Sequence, residues 1–212
     1  KDLTDWGISD NNITVIHNGL DIQKVKQYVK EKKKTLIFLG ALSKDKGIED
    51  ALQTFSILNN TAYDFQFWVV GKGESHYLEH LESQARKLGI DKKVIFWGFV
   101  SEEKKYELLT RAHILINPSI REGWGFVVME AASVGTPTVG YNVPGLRDSI
   151  LDGKTGILCN PNPNVCSEEI LSLIKSVERY QLMRQNCFKW SKIFNWEKSV
   201  KKSLKLIVSL VR

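Results

Sequence analysis

Short apolar runs alternate along this chain with longer segments whose apolar positions recur every three or four residues. The short runs read as buried strands and the longer segments as amphipathic helices. Strands are expected at Ile13–Ile16, closed by the turn-like Asn18-Gly19, and at Thr35–Leu39, which ends at Gly40. Others are expected at Phe65–Val70, ending in Gly71-Lys72-Gly73, at Val94–Trp97, ending at Gly98, and at Ile114–Ile116, ending at Asn117-Pro118. Thr138–Tyr141 and Gly156–Cys159 complete the set. A helix carried mostly by charged residues is expected from Asp21 to about Lys32. From about Lys46 to Asn59, Ile48, Leu52, Phe55 and Leu58 are spaced to form one apolar face, and a helix over Tyr77–Leu88 stops at Gly89. Ser101 is placed to cap the next helix, with Lys104 where a capping box would put an acid. Later helices are expected over Phe126–Val134, about Val165–Glu178, Tyr180–Ile193 and Trp196–Val211.

Strands this short, each followed by a helix, imply βαβ units and a parallel sheet covered on both faces. The fold class expected is therefore α/β, Rossmann-like. Glycine turns follow several strands, at Gly40, Gly71, Gly73 and Gly98. Ligands of such sheets sit outside the carboxyl ends of the strands, so these loops should gather at one rim. No internal repeat or low-complexity linker interrupts the pattern, and a single domain over residues 1–212 is expected.

The net charge of +6 favours an anionic partner. The basic residues are scattered and accompany no nucleic-acid-binding motif, so a nucleic acid is not expected. A small-molecule phosphate and a membrane surface remain. Cys159, Cys166 and Cys187 are odd in number and unevenly spaced, forming neither a metal-ligand nor a redox pattern, which suits a reducing cytoplasm. His76 and His80 share the spacing of a helical metal pair but have no further ligand nearby, so no metal site is expected. No run is apolar enough to span a membrane and no signal peptide is read.

The candidate chemistry lies in Ser119-Ile120-Arg121-Glu122-Gly123-Trp124-Gly125-Phe126-Val127-Val128-Met129-Glu130, between a strand and a helix. Two glycines at such a turn admit a ligand close to the backbone, and the helix start offers free N–H groups to an anion. Glu122 and Glu130 bracket that point. At about 1.5 Å of rise per residue, Glu130 lies roughly 7–8 Å along the helix from Gly125. A diphosphate at the helix end would leave a ribose near Glu130 and a further group near Glu122. Ordinary helix capping would look the same in this segment taken alone.

In its whole order of motifs the chain resembles the carboxyl-terminal, donor-binding half of the group 1 retaining glycosyltransferases, one half of a GT-B fold. The resemblance begins at Val15-Ile16-His17-Asn18-Gly19-Leu20-Asp21 and continues through Gly40-Ala41-Leu42-Ser43-Lys44-Asp45-Lys46-Gly47 and Val70-Gly71-Lys72-Gly73. Val94–Val100, Asn117-Pro118-Ser119, the paired Glu122 and Glu130, Pro144–Ile150 and Asp152–Gly156 complete it. It implies transfer of a hexose-type sugar from a nucleoside diphosphate-sugar, with retention, and with no cofactor or metal required. Glu130 would bind the ribose hydroxyls, Glu122 would contact the donor sugar, and Lys46 would neutralise charge on the leaving diphosphate. Backbone N–H groups of Gly125, Phe126 and Val127 would hold the diphosphate or sugar. Phe99 and Val100 would face the base, Gly71 would let its loop approach the ligand, and Ser119 completes the donor-binding set.

Ala41 stands where the family commonly has an arginine on the diphosphate, and Lys44 is the candidate substitute. His17 and His113 also depart from the family's common residues, away from the expected donor contacts. The chain starts at Lys1, and the acceptor, a sugar or lipid-linked molecule, is expected to be held by an upstream domain. Residues 1–20 then read as an interdomain segment and 195–212 as a helix reaching back to that domain. On that helix Phe194, Trp196, Val200, Leu204, Ile207 and Val211 form an apolar stripe, with Lys198, Lys201, Lys202 and Lys205 largely on another face. Packing on protein is the reading adopted, and contact with the inner face of an anionic membrane is the alternative. A nucleotide-sugar epimerase of the same fold and a non-catalytic nucleotide-sugar-binding module stay open as functions.

Overall fold

Strands β1 (Lys34–Leu39), β2 (Phe65–Val70), β3 (Val94–Gly98), β4 (Ile114–Asn117), β5 (Thr138–Tyr141) and β6 (Gly156–Cys159) form one parallel sheet. Its order is β3-β2-β1-β4-β5-β6 in the computed structural model, which describes residues 3–21 and 28–211. The chain divides into two compact units, Ile22–Lys192, which carries the sheet, and Lys1–Asp21 together with Ile193–Arg212.

In the larger unit the two faces of the sheet build two cores, as side-chain alternation along a strand requires. Leu36, Phe38, Phe65, Phe67, Val69, Ile114, Ile116, Val139 and Tyr141 point to one face. There they meet helices α1 (Ile48–Asn59), α2 (Ser75–Lys87) and, beyond α5, α6 (Pro163–Lys175). Ile37, Trp68, Val70 and Leu115 point to the other face, against α3 (Glu102–Arg111), α4 (Phe126–Ser133) and α5 (Pro144–Ser149). The final helix of this unit, α7 (Val177–Ser191), buries Tyr180 and Met183 in the first core. The result is an α/β Rossmann-like fold with helices on both faces. The apolar face read for α1 is fully buried, and Phe55 stacks on Phe67 with ring centroids 5.3 Å apart. Burying such a side chain contributes roughly 1.5–3 kcal/mol.

Two expectations need correction. Residues 13–16 form no strand, because they have no strand beside them to take up their backbone groups. The segment that follows them is held by the last helix, α8 (Trp196–Val211), and the loop before it. Leu20 N–H donates to the Phe194 carbonyl at 3.2 Å, and the Ser199 hydroxyl donates to the His17 carbonyl at 2.6 Å. The helix expected from Asp21 to about Lys32 falls partly on residues 22–27, outside the described residues, and residues 28–33 are irregular. Glu31 there gives its N–H to Arg111 O at 3.0 Å and pairs with the Arg111 guanidinium at 2.6 Å, so tertiary bonds replace helical ones.

No helix among the described residues is long and apolar enough to cross a membrane. Within the smaller unit α8 buries none of its residues fully. Trp196, Val200, Leu204 and Ile207 line a groove of about 450 Å³ with Ile16 and His17.

At the amino-terminal edge of the sheet, His113 is 6 % exposed. Its N–H donates to Thr35 O at 2.7 Å, and its Nδ1 accepts from Thr35 N–H at 3.0 Å. A protonated imidazole could not accept that bond. Burial first, and then the charges of Lys30, Lys34 and Arg184, push the His113 pKa down to about 3. The neutral form is therefore the folded form. Its stabilising contribution is complete above the unfolded pKa near 6.5 and is lost as pH falls from there towards about 3. Stability should drop by about 2 kcal/mol more between pH 7 and pH 5 than in His113→Asn, whose amide oxygen can still accept. Urea unfolding at both pH values measures this, and parallel losses in the two proteins would remove the assignment.

Candidate functional site

The order of strands reverses between β1 and β4, where the chain, after building outward through β2 and β3, returns to the other side of β1. Loops leaving the carboxyl ends of these two strands diverge and open a crevice. Two adjoining clefts occupy it. The larger, about 450 Å³, is lined by the end of β1 and the loop after it (Leu39, Gly40, Ala41), the end of β2 with Gly71 and Lys72, Phe99 and Val100, the first turn of α3, and α4. The smaller, about 110 Å³, is lined by Phe38, Leu39, Gly40, Lys46, Asn117, Glu122, Phe126 and Val127. Leu39, Gly40, Phe126 and Val127 belong to both, so the first turn of α4 sits at their junction.

Main-chain bonds hold the rim loops in place. Gly40 N–H donates to Val70 O at 3.0 Å, Gly71 N–H to Gly98 O at 2.9 Å, and Leu42 N–H to Lys72 O at 2.7 Å. The first two continue the sheet ladder one step past the strands, and the third joins the two loops beyond it. Gly71 has φ +147°, and a Cβ built there would come 1.7 Å from the Gly40 carbonyl oxygen. The glycine therefore lets two loops pass each other, besides lining the larger cleft. At Gly125 (φ +78°) a Cβ would meet the Ser149 hydroxyl at 2.9 Å, so this N-cap glycine seats α4 against α5.

Each cleft holds one of the two glutamates, and each glutamate holds a lysine. Glu122 Oε2 pairs with Lys46 Nζ at 2.9 Å, with the carboxylate 14 % exposed. Glu130 Oε1 pairs with Lys105 Nζ at 2.8 Å, the two side chains being 16 % and 14 % exposed. Lys105 also pairs with Glu102 at 2.8 Å. Burial pushes the Glu130 carboxyl above its usual range, against the hydrogen bond from Lys105. Burial also works against the charge on Lys105, but the bonds to Glu102 and Glu130 outweigh it and raise its pKa.

Of the residues expected from sequence, Lys46, Glu122, Glu130, Phe126, Val127, Gly71, Phe99 and Val100 line this crevice. Gly125 stands behind it as the α4 cap. Ser119 is fully buried, its hydroxyl within reach of the carbonyl oxygens of Asp45 (3.1 Å) and Arg121 (2.9 Å). It ties the Lys46 loop to the Glu122 loop and lines neither cleft. Lys44 lines neither cleft, being exposed at the start of the single helical turn Lys44–Lys46. Sequence reasoning missed Lys105, Glu102 and Lys72. The available signal for the first two was position: the first turn of a helix that follows β3 at the binding rim, with residues 102 and 105 on one face.

Among the described residues no group of three or more His, Cys, Asp or Glu side chains could hold a metal ion. All three cysteines are free and buried.

The chain is 33 % identical over 153 residues to glycogen synthase of Mycobacterium tuberculosis, covering 70 % of this chain and 36 % of that protein. It is 30 % identical over 216 residues to an uncharacterised glycosyltransferase of Methanocaldococcus jannaschii, covering 96 % of this chain and 54 % of that one. The chain thus spans 36 % and 54 % of the length of these two curated relatives. The fold matches the Anabaena protein HepE, solved in complex with UDP and glucose, with a TM-score of 0.82 at 20 % identity, over 97 % of this chain and 59 % of that one. A glycosyltransferase from Rickettsia africae matches with a TM-score of 0.84 at 17 % identity, over 98 % and 59 % of the two chains. The family model described as glycosyl transferases group 1 matches residues 21–190, and with the two-cleft crevice on that frame, the chain belongs to the group 1 glycosyltransferase family.

Proposed function

We propose that the crevice binds a nucleoside diphosphate-sugar and that the protein transfers its hexose-type sugar to an acceptor, with retention of configuration. The observation that carries this reading is the pair of adjoining clefts with Glu130 in one and Glu122 in the other, and the first turn of α4 between them. A nucleoside fills the larger cleft. Glu130 accepts from its ribose hydroxyls, and Phe99 and Val100 border the base. The diphosphate lies at the junction, where the start of α4 offers N–H groups. The sugar occupies the smaller cleft against Glu122. As the bond from the sugar to the diphosphate breaks, its electron pair moves to a phosphate oxygen, and Lys46 stabilises that charge. Lys46 and the helix end supply this positive charge without a metal. HepE, solved with UDP and glucose, supports a nucleotide-sugar ligand for this kind of crevice. A family of transferases gives no support to the epimerase alternative. The acceptor, sugar or lipid-linked, is assigned to a further domain in the rest of the protein, and the compartment proposed is the cytoplasm, in keeping with three free cysteines.

The test is calorimetry with a panel of nucleoside diphosphates, followed by a transfer assay on the complete enzyme. Residues 1–212 should bind a diphosphate saturably and transfer no sugar by themselves; robust turnover by this chain alone would refute the division of labour. Glu130→Ala should weaken nucleotide binding by roughly 1.5–3 kcal/mol through loss of charge-assisted hydrogen bonds. An unchanged affinity in that variant would take the ribose out of the larger cleft.

A further inference from the structure

The charges around the crevice are unequally committed. Among the described residues, three lysines and three glutamates line the two clefts. Lys46 is neutralised by Glu122 at 2.9 Å. Lys105 is held by two carboxylates, Glu102 and Glu130, both at 2.8 Å. These five groups sum to one negative charge, which opposes an anionic ligand. Lys72 is the remaining cation, and it forms no ion pair with a described residue. Its ammonium rests over the Phe99 ring, 4.4 Å from the centroid. Phe99 is 71 % exposed, so this contact is a weak anchorage and easily exchanged for a phosphate oxygen.

The backbone beneath Lys72 is fixed while its side chain is exposed. Its carbonyl accepts from Leu42 N–H, and Gly71 before it is bonded to Gly98. Lys72 therefore stands at a set place in the rim beside Ala41, whose methyl group offers nothing to an anion. Lys72 and Phe99 line the same cleft as Phe126 and Val127 in the first turn of α4.

We propose that Lys72 is a further diphosphate-binding residue, which leaves the Phe99 ring to contact the phosphates of a nucleoside diphosphate and supplies the positive charge absent at position 41. This rests on the reading of the crevice as a nucleotide-sugar site. It assigns to Lys72 the role that the sequence suggested for Lys44, which lines neither cleft.

The experiment compares the full chain with Lys72→Gln, Lys72→Arg and the double variant Ala41→Arg with Lys72→Gln. The probes are UDP and GDP, their monophosphates, and uridine and guanosine, with Lys175→Gln on α6 as a control for net charge. Lys72→Gln should lose about tenfold in diphosphate affinity, the lower end of what a charge-assisted hydrogen bond gives, and less for the monophosphate, with the nucleoside unchanged. Lys72→Arg should keep the affinity, Lys175→Gln should match wild type, and the guanidinium at position 41 should restore the diphosphate affinity of the double variant. A loss equal across diphosphate, monophosphate and nucleoside would overturn the proposal, as would no loss at all or a loss that Ala41→Arg leaves unrepaired. If the unaltered chain binds none of these probes, the nucleotide reading of the crevice falls and the proposal with it. If it binds diphosphates and Glu130→Ala weakens them while Lys72→Gln does not, the crevice reading stands and Lys72 has no part in it.

Discussion

Gly71→Ala should destabilise the protein by roughly 2–6 kcal/mol, from about 1–3 kcal/mol of backbone strain and a similar amount of overpacking. The added Cβ would sit 1.7 Å from the Gly40 carbonyl oxygen. That neighbour is backbone and cannot rotate aside. Gly40 is itself fixed by the bond from its N–H to Val70 O at 3.0 Å, and Gly71 by its bond to Gly98 O at 2.9 Å. Relief requires moving one loop away from the other, and those two loops form the wall of the larger cleft that holds Ala41 and Lys72. Stability and nucleotide binding should therefore fall together in this variant. Gly98→Ala is the comparison, because Gly98 also has positive φ (+65°) but a Cβ there would meet nothing within 4 Å. It should show only the strain part. Urea unfolding of the two variants separates the effects. Equal losses in both would show that the close approach of the loops at Gly71 contributes nothing.

The sheet was legible in the sequence because all its strands but the half-exposed edge strand β3 are buried on both faces and so appear as uninterrupted apolar runs. Phe65–Val70, Thr138–Tyr141 and Gly156–Cys159 have the bounds expected of them, as does the amphipathic helix Trp196–Val211. Ile13–Ile16 has the same local composition as a strand and is not one. Strand formation needs a neighbour, and composition cannot say whether a neighbour exists. Helix α5 was missed because Pro144–Ser149 is six residues long, too short to show a period, and carries a proline and a glycine. At the site, a close approach between residues distant in sequence was the recurring gap. Glu130 and Lys105 were each visible as charged residues on helices, but their pairing depends on how α3 packs on α4, 25 positions apart in sequence. Ser119 shows the reverse case. Its neighbourhood in the motif suggested a ligand contact, while its burial against Asp45 and Arg121 makes it a brace for the loops that carry Lys46 and Glu122.

That brace bears on the largest expected effect on activity. Lys46→Ala in the complete enzyme should lower turnover about 10²–10³-fold, the usual consequence of removing one preorganised group from the charge that develops on a leaving oxygen. It should also weaken diphosphate binding and leave nucleoside binding intact. If Glu122 holds the sugar as proposed, Glu122→Ala should lower turnover as well, but its effect on affinity has the other sign. Lys46 is bonded to Glu122 at 2.9 Å. Deleting the carboxylate frees the ammonium for phosphate, so the bare diphosphate should bind Glu122→Ala as well as or better than wild type. The two variants are thus alike in turnover and opposite in diphosphate affinity. A purely structural ion pair would behave differently, because breaking it from either side would loosen the loops at Lys46 and Glu122 and weaken affinity in both variants. Diphosphate titration of the two proteins beside a transfer assay gives the answer, and a matched loss of affinity would leave Lys46 and Glu122 as a strut between loops and not as parts of the reaction.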